Sequence, residues 1–211
     1  MKLRTTDGVM LEAETRGPDD PIARVVLCHP HPQYGGTMRS IVISALFDAL
    51  PQLDIACLRF NFRGVEGSDG EHGEGRDEPL DVLAALDAAC ELSAPRRVPV
   101  VVVGWSFGAD MALSVVDDRL AAWVGIAPPL RFRPFADYDD VADDARPKLL
   151  VLAAHDEFRA PVEIEAEVAS WANTRVEVIA GASHFFVGRT EKVVEITGRF
   201  VRDLAARYPA D

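Results

Sequence analysis

Cysteine is scarce in this sequence, and its few occurrences are not grouped. The three cysteines of the 211 residues, Cys28, Cys57 and Cys90, are widely spaced and match no metal-binding pattern. A disulfide-stapled scaffold and a cysteine-based metal site are therefore not expected. Cys28 and Cys57 lie in strand-like apolar runs, where we expect small buried side chains in a reducing compartment.

Positive charge is also in short supply. The sequence has 22 Lys and Arg against 34 Asp and Glu, which gives a net charge of −12 at pH 7. Because nucleic acids and anionic membranes attract basic proteins, neither is expected as the main partner. The glycine-rich stretch 64–75 has no lysine, so a phosphate-binding loop is not expected there. Its segment 71–74 is interpreted as a solvent-exposed loop rather than a cation site.

Long hydrophobic runs are missing as well. No stretch approaches the roughly 20 apolar residues that a membrane-spanning helix needs, and the first eight residues hold no apolar signal-peptide core. Membrane insertion and secretion are not expected, and the expected location is the cytoplasm. No repeat or low-complexity tract divides the chain, so residues 1–211 are expected to form a single domain around a large core.

Apolar runs of strand length alternate with helix-length segments along the chain. After a hairpin at 2–5 and 9–15, strands are predicted at 25–28, 55–60, 98–104, 121–127, 148–153 and 176–179, and helices at 39–50, 79–92, 107–116, 161–171 and 192–207. Such crossovers predict an α/β fold with a mostly parallel, twisted sheet of about seven or eight strands and helices on both faces. Ligand sites in these sheets lie beyond the carboxyl ends of the strands.

A glycine-flanked serine follows the most apolar of these predicted strands. Residues 104–108 read Gly-Trp-Ser-Phe-Gly, directly after the run Val-Pro-Val-Val-Val-Val. This pattern between a buried strand and a helix is typical of a nucleophile elbow, in which the glycines relieve crowding at a sharp turn. We predict that Ser106 projects its hydroxyl at the positive end of the following helix. An ordinary strand–turn–helix junction is the alternative.

Two further reactive side chains, Asp156 and His184, each come a few residues after a predicted strand. A serine hydroxyl needs a base within hydrogen-bond reach, and that base needs a carboxylate to fix its tautomer. Ser106, His184 and Asp156 are therefore the predicted nucleophile, base and acid. Two alternatives stay open: Glu157 as the acid, and His184 as a structural histidine packed against the two phenylalanines that follow it.

The order serine, acid, histidine is that of α/β-hydrolases, and the chain resembles that superfamily along nearly its whole length. It is especially similar to small bacterial serine hydrolases of the carboxylesterase or dienelactone-hydrolase kind. The resemblance rests on His-Pro-His-Pro at 29–32, Gly-Gly at 35–36 and Asn-Phe-Arg-Gly at 61–64. It implies an α/β-hydrolase fold with the acid and the base at the two positions just described. Residues 153–156 read Ala-Ala-His-Asp, which departs from the family's usual Gly-x-x-Asp.

An acyl-transfer intermediate carries a negative oxygen that needs two preorganised N–H donors. The first is expected from Phe107, directly after the nucleophile. The second is expected from the loop at 29–33, where the prolines have no N–H and His29, His31 and Gln33 remain. The resemblance favours the His31 amide. The side chain of His29 is expected to bond the backbone instead.

Several residues are expected around the substrate. Tyr34 and Phe185 are predicted to line the pocket, whereas Arg63 is expected to anchor its own turn. The segment 128–147 is too short for a cap of several helices, so an uncapped site is expected. Apolar side chains of this segment are expected to form a further wall: Leu130, Phe132, Phe135 and Tyr138.

A serine at the elbow indicates acyl transfer to water. The predicted function is a serine hydrolase that cleaves carboxylic ester or thioester bonds of a small to medium acyl substrate. Neither a metal nor an organic cofactor is implied. Thioesterase, peptidase or acyltransferase activity on the same residues remains an alternative, as does a non-catalytic binding protein, and the oligomeric state is left open.

Overall fold

The computed structural model describes residues 1–92, 98–131 and 138–208, so that Phe132 and Phe135 of the expected pocket wall lie outside it. The described residues form eight strands: β1 (Lys2–Arg4), β2 (Met10–Arg16), β3 (Ala23–Cys28), β4 (Ile55–Phe60), β5 (Val100–Trp105), β6 (Leu120–Ile126), β7 (Lys148–His155) and β8 (Thr174–Ser183). They build one sheet in the order β1-β2-β4-β3-β5-β6-β7-β8. β1 and β2 pair antiparallel, as does β2 with β4, and all other pairs are parallel.

Helices connect the parallel strands and cover both faces of the sheet. They are α1 (Ile41–Ala49), α2 (Glu78–Glu91), α3 (Phe107–Leu113), α4 (Asp139–Asp143), α5 (Pro161–Glu167) and α6 (Thr190–Ala205). The predicted mostly parallel α/β sheet is therefore confirmed. Between β6 and β7 the described residues hold only the short α4, and no large cap is formed there.

The strands β5 and β6 are apolar at every position, and both are buried on their two faces. In β5, Val100 and Val102 face the hydrophobic cluster that includes α2 and α3. Val101 and Val103 face the cluster that includes α1 and α6. This alternation follows from the two-residue period of a strand, and in β5 it leaves polar chemistry to the residues that follow the strand.

Three elements differ from their predicted bounds by more than two residues at one end. The strand expected at 176–179 is the ten-residue β8, because backbone pairing with β7 also holds its polar residues in the sheet. β8 is an edge strand whose outer side chains are exposed, so its apolar signal is short. The helix expected at 107–116 ends at Leu113, and the one expected at 161–171 gives way to a 3-10 turn at Val168–Ser170.

Arg63 anchors the turn after β4, as predicted. Its side chain is 5% exposed and pairs with the fully buried Asp81 of α2. Arg63 Nη2 and Nε donate to Asp81 Oδ1 at 2.7 and 2.9 Å, and the Arg63 amide donates to Asp81 Oδ2 at 2.9 Å. A second carboxylate, Asp7, accepts from Nη1 at 2.9 Å. This buried ion pair ties the first hairpin and α2 to the end of β4.

Among the described helices, none combines the length and the hydropathy that a membrane-spanning segment requires.

Replacing the buried carboxylate should cost far more stability than replacing an exposed one. We expect Asp81→Asn to lower the free energy of unfolding by roughly 3–5 kcal/mol, because it removes one partner of a buried ion pair. The matched change Asp48→Asn removes an exposed pair with Arg16 and should cost less than about 1 kcal/mol. Urea denaturation followed by circular dichroism measures both, and equal losses would contradict the anchoring role of Arg63.

Candidate active site

Ser106 lies at the sharp turn between β5 and α3. Its φ of 55° and ψ of −122° are unusual for a residue with a side chain. The turn is possible only because both flanking glycines lack a Cβ. A Cβ on Gly104 would lie 2.1 Å from the Gly108 carbonyl oxygen, and one on Gly108 would lie 2.3 Å from the Cys28 carbonyl oxygen. The geometry is that of the predicted elbow.

The structure brings Ser106, His184 and Asp156 into one hydrogen-bonded row. Ser106 Oγ lies 2.8 Å from His184 Nε2, and His184 Nδ1 lies 2.8 Å from Asp156 Oδ2. The Ser106 and His184 side chains are almost fully buried. With Nδ1–H donating to the carboxylate, Nε2 is the acceptor for the serine hydroxyl proton. This arrangement can activate the hydroxyl as a nucleophile.

The Asp156 carboxylate is held in place by backbone donors on its own loop. Its Oδ1 accepts from the amides of Phe158 at 2.9 Å and Arg159 at 3.2 Å. Arg159 Nη1 then donates to the Pro129 carbonyl oxygen at 2.7 Å, which ties this loop to the loop after β6. Asp156 Oδ2 is therefore aimed at the His184 ring by a braced turn.

Glu157, the alternative acid, holds the backbone of the histidine loop rather than the ring. Its Oε2 accepts from the His184 amide at 3.0 Å. On the other side, Trp105 Nε1 donates to the His184 carbonyl oxygen at 3.1 Å. Because both contacts are to the main chain of His184, the ring itself is left to Asp156. The geometry thus favours Asp156 as the acid.

The loop after β3 lies beside the start of α3. The ring centroids of His31 and Phe107 are 4.9 Å apart. His31 is the N-cap of the 3-10 turn Pro32–Tyr34, and its Nδ1 accepts a hydrogen bond from the Gln33 amide at 3.2 Å. The close approach of Gly108 to the end of β3 brings these two stretches of backbone together. Both residues proposed as oxyanion donors therefore lie next to the elbow.

His29 braces this loop from below, as the sequence predicts. Its Nδ1 lies 2.6 Å from the Pro30 carbonyl oxygen, and its Nε2 accepts from the Phe62 amide at 3.0 Å. Burial lowers the pKa of His29 to about 3, so the ring stays neutral. A neutral ring that donates through one nitrogen and accepts through the other ties the end of β3 to the end of β4.

A cleft of about 680 Å³ lies at the serine and the histidine. Its lining residues in the described chain are Pro30, His31, Tyr34, Gly35, Gly36, Ser40, Ile41, Trp105, Ser106, Pro129, Phe158, His184 and Phe185. Tyr34 and Phe185 lie where the sequence predicts them, at 84% and 48% exposure. None of these lining residues is Lys, Arg, Asp or Glu. The cleft is therefore open, largely apolar and rich in aromatic rings.

Phe158 is a cleft residue that sequence reasoning missed. Its ring centroid lies 4.5 Å from that of His184 and 6.2 Å from that of Phe185. The one available signal was its position two residues after the acid, which places it on the same rim. Tyr138, expected in the pocket wall, packs against Trp171 instead, with 6.0 Å between the ring centroids. Leu130, expected in the same wall, is buried and is not among the residues that line the cleft.

Across residues 1–92, 98–131 and 138–208, no group of three or more His, Cys, Asp and Glu side chains is arranged to hold a metal ion.

Comparison with known proteins finds likeness along nearly the whole chain, although no protein-family model matches. The structure of an alpha-beta serine hydrolase homologue from Coxiella burnetii has a TM-score of 0.84 and 31% identity, covering 95% of each chain. A Xanthomonas campestris structure, described as a member of a/b serine hydrolase without lid, has a TM-score of 0.83 and 24% identity, covering 99% of this chain and 95% of that one. An uncharacterized protein of Rickettsia prowazekii is 29% identical over 204 residues, which are 93% of this chain and 84% of that protein.

The two neighbouring acids should respond differently to loss of charge. Asp156→Asn should slow the reaction of Ser106 with a fluorophosphonate by up to about 10⁴-fold, because the amide no longer fixes the reactive tautomer of the histidine. Glu157→Gln should slow it by less than about tenfold, since the amide oxygen still accepts from the His184 backbone. Labelling rates followed by gel fluorescence measure both. The reverse order would reassign the acid to Glu157.

Proposed function

We propose that this chain, which belongs to the α/β serine hydrolase superfamily, hydrolyses carboxylic ester or thioester bonds of small to medium, uncharged acyl substrates. The observation that carries this proposal is the continuous row from Ser106 through His184 to Asp156, with 2.8 Å at each step. The row ends in an open cleft that can receive a carbonyl carbon. A hydroxyl so placed is suited to nucleophilic attack on an acyl group.

In the first half of the reaction, the acyl group moves to the enzyme. Ser106 Oγ forms a bond to the carbonyl carbon while His184 Nε2 takes the hydroxyl proton. Asp156 stabilises the imidazolium that forms. The carbonyl oxygen becomes an oxyanion, for which the amides of Phe107 and His31 are the proposed donors. As the carbon–oxygen (or carbon–sulfur) bond breaks, His184 gives its proton to the leaving group.

In the second half, water releases the acid product. His184 Nε2 takes a proton from water, and the hydroxide attacks the carbonyl carbon of the acyl-enzyme. The oxyanion forms again at the same two amides, and its collapse breaks the bond to Ser106 Oγ. The serine regains its proton from the imidazolium, so that the enzyme returns to its starting state.

The lining of the cleft supports an uncharged substrate. Aromatic rings of Phe158, Phe185 and Trp105 surround the histidine, and none of the described lining residues is a cation that would pair with a substrate carboxylate. The net charge of −12 also repels anionic substrates. With no large cap over it, the cleft is better suited to short or medium acyl groups than to long buried chains.

Covalent labelling tests the activated serine. Wild-type protein should react with a fluorophosphonate at Ser106, and Ser106→Ala should abolish the reaction. Ser114→Ala is the matched control, because Ser114 caps the other end of α3 and its hydroxyl donates to the Met111 carbonyl oxygen. It should label like the wild type. Wild-type protein that stays unlabelled would contradict the proposal, and so would label that survives in Ser106→Ala.

A substrate panel tests the leaving group and the acyl charge. Esters and thioesters of short acyl chains should turn over faster than the matching amides. Among p-nitrophenyl esters, the pentanoate should exceed the charged hemisuccinate in kcat/KM by at least about tenfold, because the described lining residues include no Lys or Arg to pair with the free carboxylate. Faster turnover of the amide would favour a peptidase. Preference for the hemisuccinate would contradict the proposed substrate class.

A further inference from the structure

We propose that His72, in the loop before α2, is a positioning residue that holds the two oxyanion-stabilising residues His31 and Phe107 in place. This inference rests on the proposed function, since it assigns a role in the same reaction. The sequence predicts an exposed loop at 71–74, but the His72 side chain is only 10% exposed. A mostly buried histidine in that loop therefore requires an explanation.

The His72 ring contacts both residues that supply the proposed donors. Its centroid lies 5.0 Å from that of the His31 ring and 5.5 Å from that of the Phe107 ring. The His31 and Phe107 rings are themselves 4.9 Å apart, so the three rings form a mutually packed group. His72 itself is not among the described residues that line the cleft. Among the described residues, the contacts with His31 and Phe107 are those through which it would act on the reaction.

Glu78, the first residue of α2, holds the backbone of the loop that carries His72. Its side chain is fully buried, and its two oxygens accept from the amides of Gly73 at 2.7 Å and Gly75 at 2.8 Å. Glu78 Oε1 also lies 2.7 Å from His72 Nδ1, although no hydrogen bond of normal angle joins them. A buried carboxylate needs such donors to offset its desolvation. The loop that carries His72 is thereby wrapped around the buried Glu78 side chain.

The histidines are also coupled through charge. Burial lowers the pKa of the His31 ring, the nearby His72 lowers it further, and Glu78 acts in the opposite direction. His31 must keep Nδ1 unprotonated to accept from the Gln33 amide. A neutral His31 therefore preserves the 3-10 turn that begins directly after the proposed donor.

Such a role predicts a specific kinetic signature. Oxyanion donors act on charge that develops only in the transition state, so their displacement lowers kcat and leaves substrate binding nearly unchanged. Small displacements are costly, because a shift of about 1 Å in a reacting group can reduce the rate by roughly 10²-fold. Replacing a residue with a merely structural role would lower the stability of the protein without this selective decrease in kcat at constant KM.

The experiment compares variants at one position with the full-length protein and a neutral p-nitrophenyl ester. His72→Ala should lower kcat by about 10- to 100-fold while KM changes by less than about twofold. His72→Phe keeps a ring against His31 and Phe107 and should recover kcat to within about fivefold of the wild type. His72→Leu keeps apolar volume without a ring and should show the same loss of kcat as His72→Ala. If His72→Ala does not fold, the leucine variant provides the test. Glu71→Ala, an exposed change in the same loop, should match the wild type.

Each outcome separates this inference from the proposed function. Three results would overturn the role of His72 while leaving the hydrolase proposal intact. They are a wild-type kcat in both His72→Ala and His72→Leu, a change confined to KM, and equal losses of kcat in the phenylalanine and leucine variants. Absence of turnover and of Ser106 labelling in the wild type would overturn the proposed function, and this inference with it. Thermal denaturation of each variant confirms that folded proteins are being compared.

Discussion

The close packing of α3 against the end of β3 is the constraint on which the rest of the site depends. Gly108 approaches the Cys28 carbonyl so closely that no side chain could stand there, and Ser106 accepts a positive φ at the turn. This strained backbone conformation persists because the surrounding core, buried on both faces of the sheet, holds it in place. The packing of Gly108 against the end of β3 thus places the Ser106 hydroxyl at the turn and sets the start of α3. It also brings Phe107 beside the loop that carries His31.

The elements around this fit are braced from several directions. Buried polar side chains tie the loops at the carboxyl ends of the strands to one another: His29 joins β3 to β4, and Arg63 joins β4 to α2. Asp110 of α3 accepts from the amides of Leu130 and Arg131 in the loop after β6, each at 2.9 Å. Each bond replaces water lost by a buried group. The rim is therefore held rigid, which is what a preorganised site needs.

Much of this arrangement could be predicted from the sequence, because parallel topology converts chain order into spatial proximity. Ser106, Asp156 and His184 each follow a strand, and the parallel sheet brings the ends of those strands to one edge. The choice between Asp156 and Glu157 could not be made in this way, since adjacent residues share the same turn. Only the direction of each side chain separates an acid that faces the ring from one that binds the backbone. Phe158 was missed, and His72 was assigned to an exposed loop, for a related reason: their positions depend on contacts between distant loops, which leave no periodic pattern. The catalytic roles themselves remain predictions.

The proposed mechanism requires that Ser106 carries the acyl group during turnover. The most direct test is intact-protein and peptide mass spectrometry after rapid acid quenching of the protein with a p-nitrophenyl ester. An acyl-enzyme at Ser106 gives a mass increase equal to the acyl group, confined to the peptide that holds Ser106 and absent in Ser106→Ala. Hydrolysis of the ester without any acylated Ser106, or an acyl group on another residue, would contradict it.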